Sequence, residues 1–245
     1  MRKTCVEYAL VCSVGKLRRN NEDNFYCDGH IREDVNSTQD AVVSGTVNTD
    51  TNELFAVFDG MGGEACGEVA SYTAAEHCRV FARRREAYKE YLRELAEECN
   101  QKVLEETKER SLVLMGTTAA MLQVAGEDVY ILNAGDSRIY KLSDHQLRQI
   151  SQEHIAVSYG GKAITKFFGM PEGNDLEPYI AMGKYQTGDV FLLCSDGVTD
   201  MLTDDEIRLI IDDKCDLSVL ARALVDAALD RGGVDNTTAL LLRFS

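Results

Sequence analysis

The chain repeatedly places acidic residues at the ends of β-type runs, beside a glycine, an asparagine or a second acid. The five occurrences are Glu22-Asp23, Asp59-Gly60, Gly135-Asp136, Asp196-Gly197 and Asp235-Asn236. Each one alone is an ordinary turn signal, because such pairs end strands for conformational reasons. Together they constrain the fold, since strand ends from distant segments meet at one edge of an antiparallel sandwich. Carboxylates gathered at such an edge repel one another unless divalent cations lie between them.

The residue types in these motifs indicate which cation they would bind. Oxygen ligands without His or Cys favour hard ions, Mg²⁺ or Mn²⁺, over zinc. The histidines have no metal-site spacing and the 8 cysteines form no Cys-x-x-Cys pair, so we expect reduced thiols. With 41 acidic against 26 basic residues, the net charge is −15. This balance fits a protein that holds cations and argues against nucleic-acid binding.

Hydrophobic periodicity divides the first half of the chain into strands and helices. We predict strands at Cys5–Cys12 and Leu54–Asp59, and helices from about Glu64 to Arg84 and from Glu86 to Glu109. Both helical patterns have the 3.6-residue period of a helix packed on one face. The polar stretch Asp28–Glu53 is either a long loop or an added hairpin, because uninterrupted loops of this length are uncommon in compact domains.

The second half of the chain is richer in short strands. An antiparallel meander is predicted at Thr117–Ala125, Val129–Ala134 and Arg138–Leu142. There follow an apolar strand at Val190–Ser195, a capping-box helix start at Thr203, a helix over Leu217–Ala228 and a closing strand at Thr237–Phe244. The lack of a βαβ rhythm indicates an α+β fold with antiparallel sheets, in a single domain over residues 1–245.

The apolar runs are too short to cross a membrane. Val190–Cys194, among the longest, is about a quarter of the roughly 20 residues that a bilayer span needs. Glu7 interrupts what would otherwise resemble the start of a signal peptide, so we predict the first strand of a cytoplasmic protein there. We expect the protein to be a monomer.

Six stretches of the chain, in this order, form a specific combination. They are Gly15–Asp23, Val57–Gly63, Gly116–Thr118, Asn133–Arg138, Leu193–Gly197 and Asp235–Thr238. In these stretches, which span almost the whole chain, it resembles the bacterial metal-dependent serine/threonine protein phosphatases of type 2C, the PPM family. The resemblance implies a β-sandwich of two antiparallel sheets flanked by helices, with a binuclear metal centre at one end.

The resemblance also implies which residues hold the two ions, Mn²⁺ or Mg²⁺. Asp59 would bridge them, and the carbonyl group of Gly60 would bind one of them. Asp196 and Asp235 would complete this pair of sites.

Other matching positions have less direct roles on the same resemblance. Glu22 and Asp23 would act on the ions directly or through water, and Asp136 would help to hold a third, weaker ion. Arg18 matches the arginine that binds the substrate phosphate, for which a planar guanidinium is suited. Arg19 beside it is a reserve candidate.

The resemblance implies hydrolysis of phosphoserine and phosphothreonine in the protein substrates of a bacterial serine/threonine kinase. Two cations roughly 3.5–4 Å apart lower the pKa of a bridging water, which attacks phosphorus without a covalent intermediate. Arg18 and the cations neutralise the equatorial oxygens of the phosphate. Cys66 and Cys194 lie near the motifs, but the sequence shows neither an oriented base nor a lowered pKa that would make them nucleophiles.

The chain departs from the family pattern at two places. Met61 stands where many eukaryotic members have a histidine that protonates the leaving alcohol, so a metal-bound water would supply the proton, with His154 as a weaker alternative. Only the nine residues Ile155 to Ala163 stand where bacterial members usually carry a flap of some tens of residues. We therefore expect the flap segment to be largely absent, which leaves specificity and third-ion binding open. The Asp28–Glu53 insertion either compensates in part for the flap or is a decorated loop, and we favour the loop.

Two other functions are compatible with parts of this pattern. One is a catalytically silent relative that serves as a binding or regulatory module, although such proteins typically lose metal carboxylates and every such position is occupied here. The other is a nuclease or another phosphodiesterase. It conflicts with the acidic balance and lacks the His-rich ligand sets common among such hydrolases.

Overall fold

The computed structural model describes residues 5–33, 40–61, 66–82, 89–158, 161–171 and 173–245. Parts of several predictions lie outside these residues. They are the two glycines 62 and 63 of the second motif, the helix ends placed near Glu64, Arg84 and Glu86, residues 34–39 of the polar stretch, and residues 159 and 160 of the shortened flap region.

The elements of the first half are β1 (Cys5–Ser13), β2 (Asp23–Cys27), β3 (Val43–Asn48), β4 (Leu54–Met61), α1 (Gly67–Phe81) and α2 (Lys89–Glu109). The next strands are β5 (Gly116–Thr117), β6 (Ala119–Ala125), β7 (Asp128–Ala134), β8 (Arg138–Ser143), β9 (Gln146–Gln149), β10 (Ile155–Ser158), β11 (Gly161–Ile164) and β12 (Tyr179–Lys184). The chain continues with β13 (Val190–Cys194), α3 (Asp196–Thr199), α4 (Asp204–Ile211), α5 (Leu217–Asp230) and β14 (Thr237–Phe244).

Two antiparallel sheets pack face to face between two layers of helices. The first sheet has the order β3-β1-β14-β13-β8-β9, and the second has the order β12-β7-β6-β4-β2, with β5 paired to the end of β4. One apolar core lies between the sheets, a second between the β2–β4–β6 sheet and helices α1 and α2, and a third between the other sheet and helices α3 to α5. This arrangement confirms the predicted α+β fold.

The central strands are apolar without alternation because both of their faces are buried. In β4, Phe55 and Val57 belong to the core between the sheets, while Ala56 and Phe58 belong to the core under α1 and α2. The next residue along this strand is Asp59. The buried strand therefore fixes the position of the first predicted metal ligand.

The predicted meander is wrong for its third strand. Strands β6 and β7 pair with each other, but β8 pairs with β13 and β9 in the opposite sheet. The chain crosses between the sheets at Gly135, whose φ of 99° is in the left-handed region that favours glycine. Hydrophobic periodicity reports a strand's buried faces and does not report which sheet it joins. The crossing places Asp136 at the end of the sandwich.

The interpretation of the Asp28–Glu53 stretch as a loop is also wrong for part of its length. Strand β3 pairs with β1 along the sheet edge, from Cys5 opposite Asn48 to Leu10 opposite Val43. Its sequence, Val-Ser-Gly-Thr-Val-Asn, alternates between half-buried and exposed positions and has little apolar content. An edge strand needs only one buried face, so its sequence signal is weak.

Other features named in the sequence analysis can be located in the structure. None of the eight cysteines, all of which are among the described residues, forms a disulfide. Helix α4 begins with a capping box, in which Thr203 and Glu206 each bond to the other's backbone N–H. In the region where bacterial members usually carry a flap, the described residues form one short hairpin, β10–β11. Among the helices of the described residues, none is both long and apolar enough to cross a membrane.

Candidate metal centre

A cavity of about 340 Å³ opens at the end of the sandwich where strands from both sheets finish. It is lined by Arg18, Glu22, Asp59, Gly60, Met61, Thr118, Asp136, Ile164, Asp196 and Asp235. The structure therefore brings five of the six predicted carboxylates, the predicted arginine and Gly60 to one cavity. Its lining contributes oxygen ligands from both ends and the middle of the chain.

The backbone of Asp59 is held by the Gly-Thr-Thr motif that follows α2. The backbone N–H of Thr118 and the hydroxyl of Thr117 donate hydrogen bonds to the Asp59 carbonyl, at 2.8 and 2.9 Å. The Asp59 N–H donates to the Thr118 hydroxyl at 3.1 Å, and that hydroxyl lies 2.7 Å from the Ser137 hydroxyl. These bonds use the backbone polar groups of Asp59 and leave its carboxylate directed at the cavity.

Gly60 is required by the close approach of two other segments. Its N–H donates to the Glu22 carbonyl at 3.1 Å. A β-carbon at Gly60 would lie 2.6 Å from that same carbonyl oxygen and would overlap the carbonyl group of Gly67 at the start of α1. Glycine therefore lets the Asp59 strand, the Glu22 loop and α1 meet.

Asn236 fixes the loop that carries Arg18 and Glu22. Its side-chain amide donates to the carbonyls of Val14 and Asn20, both at 2.9 Å, and its side-chain oxygen accepts from the Glu22 N–H at 2.7 Å. One side chain near the end of the chain thus shapes a loop near its beginning.

Asp23 lies behind the cavity wall rather than in its lining. It is fully buried, and its Oδ2 accepts hydrogen bonds from the hydroxyls of Ser195 at 2.8 Å and Thr238 at 2.6 Å. Its Oδ1 is buried and has no hydrogen-bond partner within the described structure. Burial, partly offset by the two hydroxyls, raises the pKa of Asp23 to about 7.

Burial and mutual repulsion disfavour the charged forms of the carboxylates at the centre of the site. Burial, followed by the charges of Asp23, Asp196, Asp136 and Asp235, raises the pKa of Asp59 well above its ordinary value. Burial and the charges of nearby acids raise the pKa of Asp196 to about 6. Within the described residues, the His, Cys, Asp and Glu side chains do not already form a ligand set of three or more. Asp59 and Asp196 nevertheless lie close enough to share a side-chain hydrogen bond.

Two basic side chains pair with acids of the cavity. Arg18 Nη2 lies 2.6 Å from Asp235 Oδ2, and both side chains are partly exposed. Lys162 Nζ, from strand β11, lies 2.9 Å from Asp136 Oδ2. Arg19 is exposed and does not line the cavity.

Met61, which replaces the histidine of many eukaryotic members, lines the cavity, but the candidates His154, Cys66 and Cys194 do not. His154 lies outside the lining, and burial together with the charge of Lys166 lowers its pKa. Cys194 is fully buried, which raises the pKa of its thiol to about 12, and Cys66 is also absent from the lining. The cavity thus offers carboxylates and a guanidinium, with no activated thiol.

The residues present fit a pair of hard divalent cations. The donor set consists of carboxylate and carbonyl oxygens, which Mg²⁺ and Mn²⁺ prefer. The buried Oδ1 atom of Asp23 has no hydrogen-bond partner within the described structure, although buried polar atoms are normally paired. Positive charge at the centre would also relieve the raised pKa of Asp59 and Asp196.

Residues 28–228 match the family profile described as Protein phosphatase 2C, which covers more than half of the chain. The chain belongs to the protein phosphatase 2C family. This membership confirms the class predicted from the sequence, a metal-dependent serine/threonine protein phosphatase.

Individual relatives of this phosphatase match it along nearly its full length. The serine/threonine phosphatase Stp of Listeria monocytogenes is 32% identical over 93% of this chain and 92% of its own. The structure of PppA from Pseudomonas aeruginosa has a TM-score of 0.80 and 30% identity, with 98% of each chain covered. The catalytic domain of the phosphatase PstP in complex with two manganese ions has a TM-score of 0.80 and 28% identity, with 98% and 99% covered.

Sequence reasoning about this phosphatase missed the residues that position the ligands. Thr118, Ser195, Asn236 and Thr238 all lie inside the motifs, where residue type alone does not separate a supporting hydroxyl or amide from a turn former. Lys162 lies outside every motif and carried no sequence signal. Its relevance comes only from the hairpin that brings it to Asp136.

Proposed function

We propose that this phosphatase hydrolyses phosphoserine and phosphothreonine in proteins, using two Mn²⁺ or Mg²⁺ ions held by the cavity carboxylates. The observation that carries the proposal is the convergence of oxygen ligands and Arg18 on one open cavity. The described PstP catalytic domain, which holds two manganese ions, supports a dinuclear site.

The proposed ligands divide according to their place in the cavity. Asp59 is the candidate to bridge the ions, and the Gly60 carbonyl, Asp196 and Asp235 are the candidates to complete the two sites. Glu22 lines the cavity beside them, and buried Asp23 supports the centre from behind. When bound, the two ions supply the Lewis acidity that activates a water molecule for in-line attack on phosphorus.

Arg18 is proposed to bind the phosphate of the substrate. Its pair with Asp235 is solvent-accessible, with side-chain exposures of 48% and 34%, so breaking it costs little. A guanidinium released from Asp235 can donate two parallel hydrogen bonds to phosphate oxygens and offset the charge that accumulates on them.

The chain's own groups support direct attack by water rather than a covalent intermediate. The Cys194 thiol is buried with a raised pKa, and the Ser195 hydroxyl is committed to Asp23. Met61 carries no proton to donate, and His154 is outside the lining. We therefore assign protonation of the leaving alcohol to a water molecule in the cavity.

We further propose that residues 1–245 act as one catalytic domain and as a monomer in the cytoplasm. Its proposed substrates are the protein products of a serine/threonine kinase. The net charge of −15 does not favour nucleic-acid binding. A silent binding module has less support, because all the acidic positions implied by the resemblance are present.

The test is hydrolysis by the full chain after removal of metals with a chelator. Addition of Mn²⁺ or Mg²⁺ is expected to restore hydrolysis of p-nitrophenyl phosphate and of phosphoserine and phosphothreonine peptides. Asp235→Asn is expected to reduce the restored rate strongly. Full activity in excess chelator, or full activity of Asp235→Asn, would contradict the proposal.

A further inference from the structure

The β10–β11 hairpin is fastened over the Asp136 end of the cavity. The His154 N–H, just before β10, donates to the carbonyl of Gly135 at 2.8 Å, and the Thr165 N–H, just after β11, donates to the carbonyl of His154 at 2.8 Å. The base of the hairpin is therefore tied to the residue that precedes Asp136. Ile164, its last strand residue, lines the cavity itself.

The anchored hairpin places the ammonium group of Lys162 beside Asp136. Lys162 Nζ lies 2.9 Å from Asp136 Oδ2 and 3.8 Å from Glu153 Oε1. Glu153 is also paired with Arg138, whose Nε lies 3.2 Å from Glu153 Oε2. Because Glu153 already has a guanidinium partner at shorter range, Asp136 is the principal partner of Lys162.

The two oxygens of the buried Asp136 carboxylate differ in their contacts. The Asp136 side chain is 5% exposed and that of Lys162 is 36% exposed. Asp136 Oδ2 is paired with the ammonium group, whereas the buried Oδ1 has no hydrogen-bond partner within the described structure. Asp136 also lines the cavity, and a cation that bound against Oδ2 would have to displace Lys162 Nζ.

We propose that Lys162 is a built-in cation that takes the place of a third divalent ion at Asp136, so that the chain binds two divalent ions and not three. This inference rests on the proposed two-ion centre. An ammonium group and a divalent ion cannot both lie against the same Asp136 carboxylate without repelling each other at short range. The lysine is also tethered, so its local concentration does not depend on the metal content of the medium.

The experiment counts Mn²⁺ ions bound to the metal-stripped full chain, from the paramagnetic resonance signal of free Mn²⁺ in a titration into the millimolar range. The wild type is expected to bind two ions, and Lys162→Met and Lys162→Gln are expected to bind three. Lys162→Arg retains the positive charge and should bind two. Lys184→Met removes an exposed lysine that pairs with Glu127 far from the site, and should also bind two.

A second substitution locates the gained ion. Asp136→Asn combined with Lys162→Met is expected to return the count from three to two, because the released carboxylate is then absent. A wild type that binds three ions, or lysine variants that gain none, would overturn this inference alone. A wild type that binds no ion would contradict both this inference and the proposed function.

Discussion

The two ends of the cavity neutralise their carboxylates in different ways. At the inner end, Asp59 and Asp196 face each other and other acids, and burial raises the pKa of both. At the outer end, Asp136 is less exposed than either of these residues, and it has an ammonium group at 2.9 Å. The negative charge of Asp59 and Asp196 is therefore available to metal ions, whereas that of Asp136 is balanced by a lysine of the chain.

The difference teaches where the protein depends on its cofactor. Strands β2 and β4 place Asp23 and Asp59 opposite each other through backbone pairing, so these side chains cannot separate to reduce repulsion. Asp136 lies at a crossing between the sheets and pairs with Lys162 of the short β10–β11 hairpin. The inner end is built to need cations, and the outer end is built to do without one.

The largest expected effect separates the two ends directly. Asp59→Asn should lower Mn²⁺-dependent hydrolysis by more than about 100-fold, the upper figure for residues that only support a metal ligand. Asp136→Asn should lower the same rate by less than about 10-fold, the lower figure for such residues, because Asp136 is paired with Lys162 and does not hold either of the two proposed ions. Initial rates with a phosphothreonine peptide measure both. Equal losses would remove the distinction between the ends.

The next effect tests the two basic residues of the cavity. Arg18→Ala should lower kcat/KM by about 10- to 100-fold, since a hydrogen bond to a charged group is worth about 1.5–3 kcal/mol. Arg19→Ala, which removes the exposed neighbouring charge, is the matched control and should stay within about twofold because solvent screens it. Similar losses in both variants would argue for a general charge effect and against phosphate binding by Arg18.

The inner end should also make the metal-free protein sensitive to pH. Burial raises the pKa of Asp23 to about 7, so the folded state retains a proton that the unfolded chain releases near its ordinary pKa of about 3.9. The stability that this group contributes is complete below that ordinary value and is lost as the pH rises toward 7. Asp23→Asn keeps an acceptor for Ser195 and Thr238 and removes the titration.

Urea unfolding in excess chelator, at a series of pH values between those limits, measures this effect. The wild type should lose more stability than Asp23→Asn as the pH rises, by roughly 1.4 kcal/mol for each unit of pKa shift. Saturating Mn²⁺ should reduce the difference in slope. If the unfolding free energies of the two proteins in chelator changed in parallel with pH, the raised pKa of Asp23 would be contradicted.

The smallest expected effects are on stability, for one residue that positions Asp59 and one that pairs with Asp136. Thr118→Val removes the hydroxyl that holds the Asp59 N–H and should cost about 1–2 kcal/mol of unfolding free energy. Lys162→Met removes an ion pair on a partly exposed hairpin and should cost less than about 1 kcal/mol. Urea unfolding with metal removed measures both. A larger cost for Lys162→Met would mean that the hairpin is a structural brace.

Much of the fold could be predicted because buried strands and amphipathic helices leave a strong periodic signal. The strand that contains Asp59 and the helix over Leu217–Ala228 are of this kind. Strand β3 and the hairpin β10–β11 could not be predicted, because an edge strand buries little and exposed hairpins bury less. The crossing at Gly135 was also invisible, since a turn and a change of sheet use the same residues.

The candidate site divides in a similar way. Acids at strand ends could be identified from the sequence because their residue type and position coincide with the chemistry. The support for Asp23 by Ser195 and Thr238 depends on strands that are distant in the chain. The pairing of Lys162 with Asp136 depends on where a shortened hairpin folds, which periodicity does not report.

Asn236 links the end of the chain to its beginning, and this has a consequence for protein synthesis. Strand β14 inserts between β1 and β13 in the middle of a sheet, and Asp235 and Asn236 directly precede it. On a ribosome, β1 and the Glu22 loop emerge first, and they must wait for β14 before this part of the sheet can form. A nascent chain in which β14 has not yet emerged would lack Asp235 and Asn236 at the cavity and would therefore be catalytically inert.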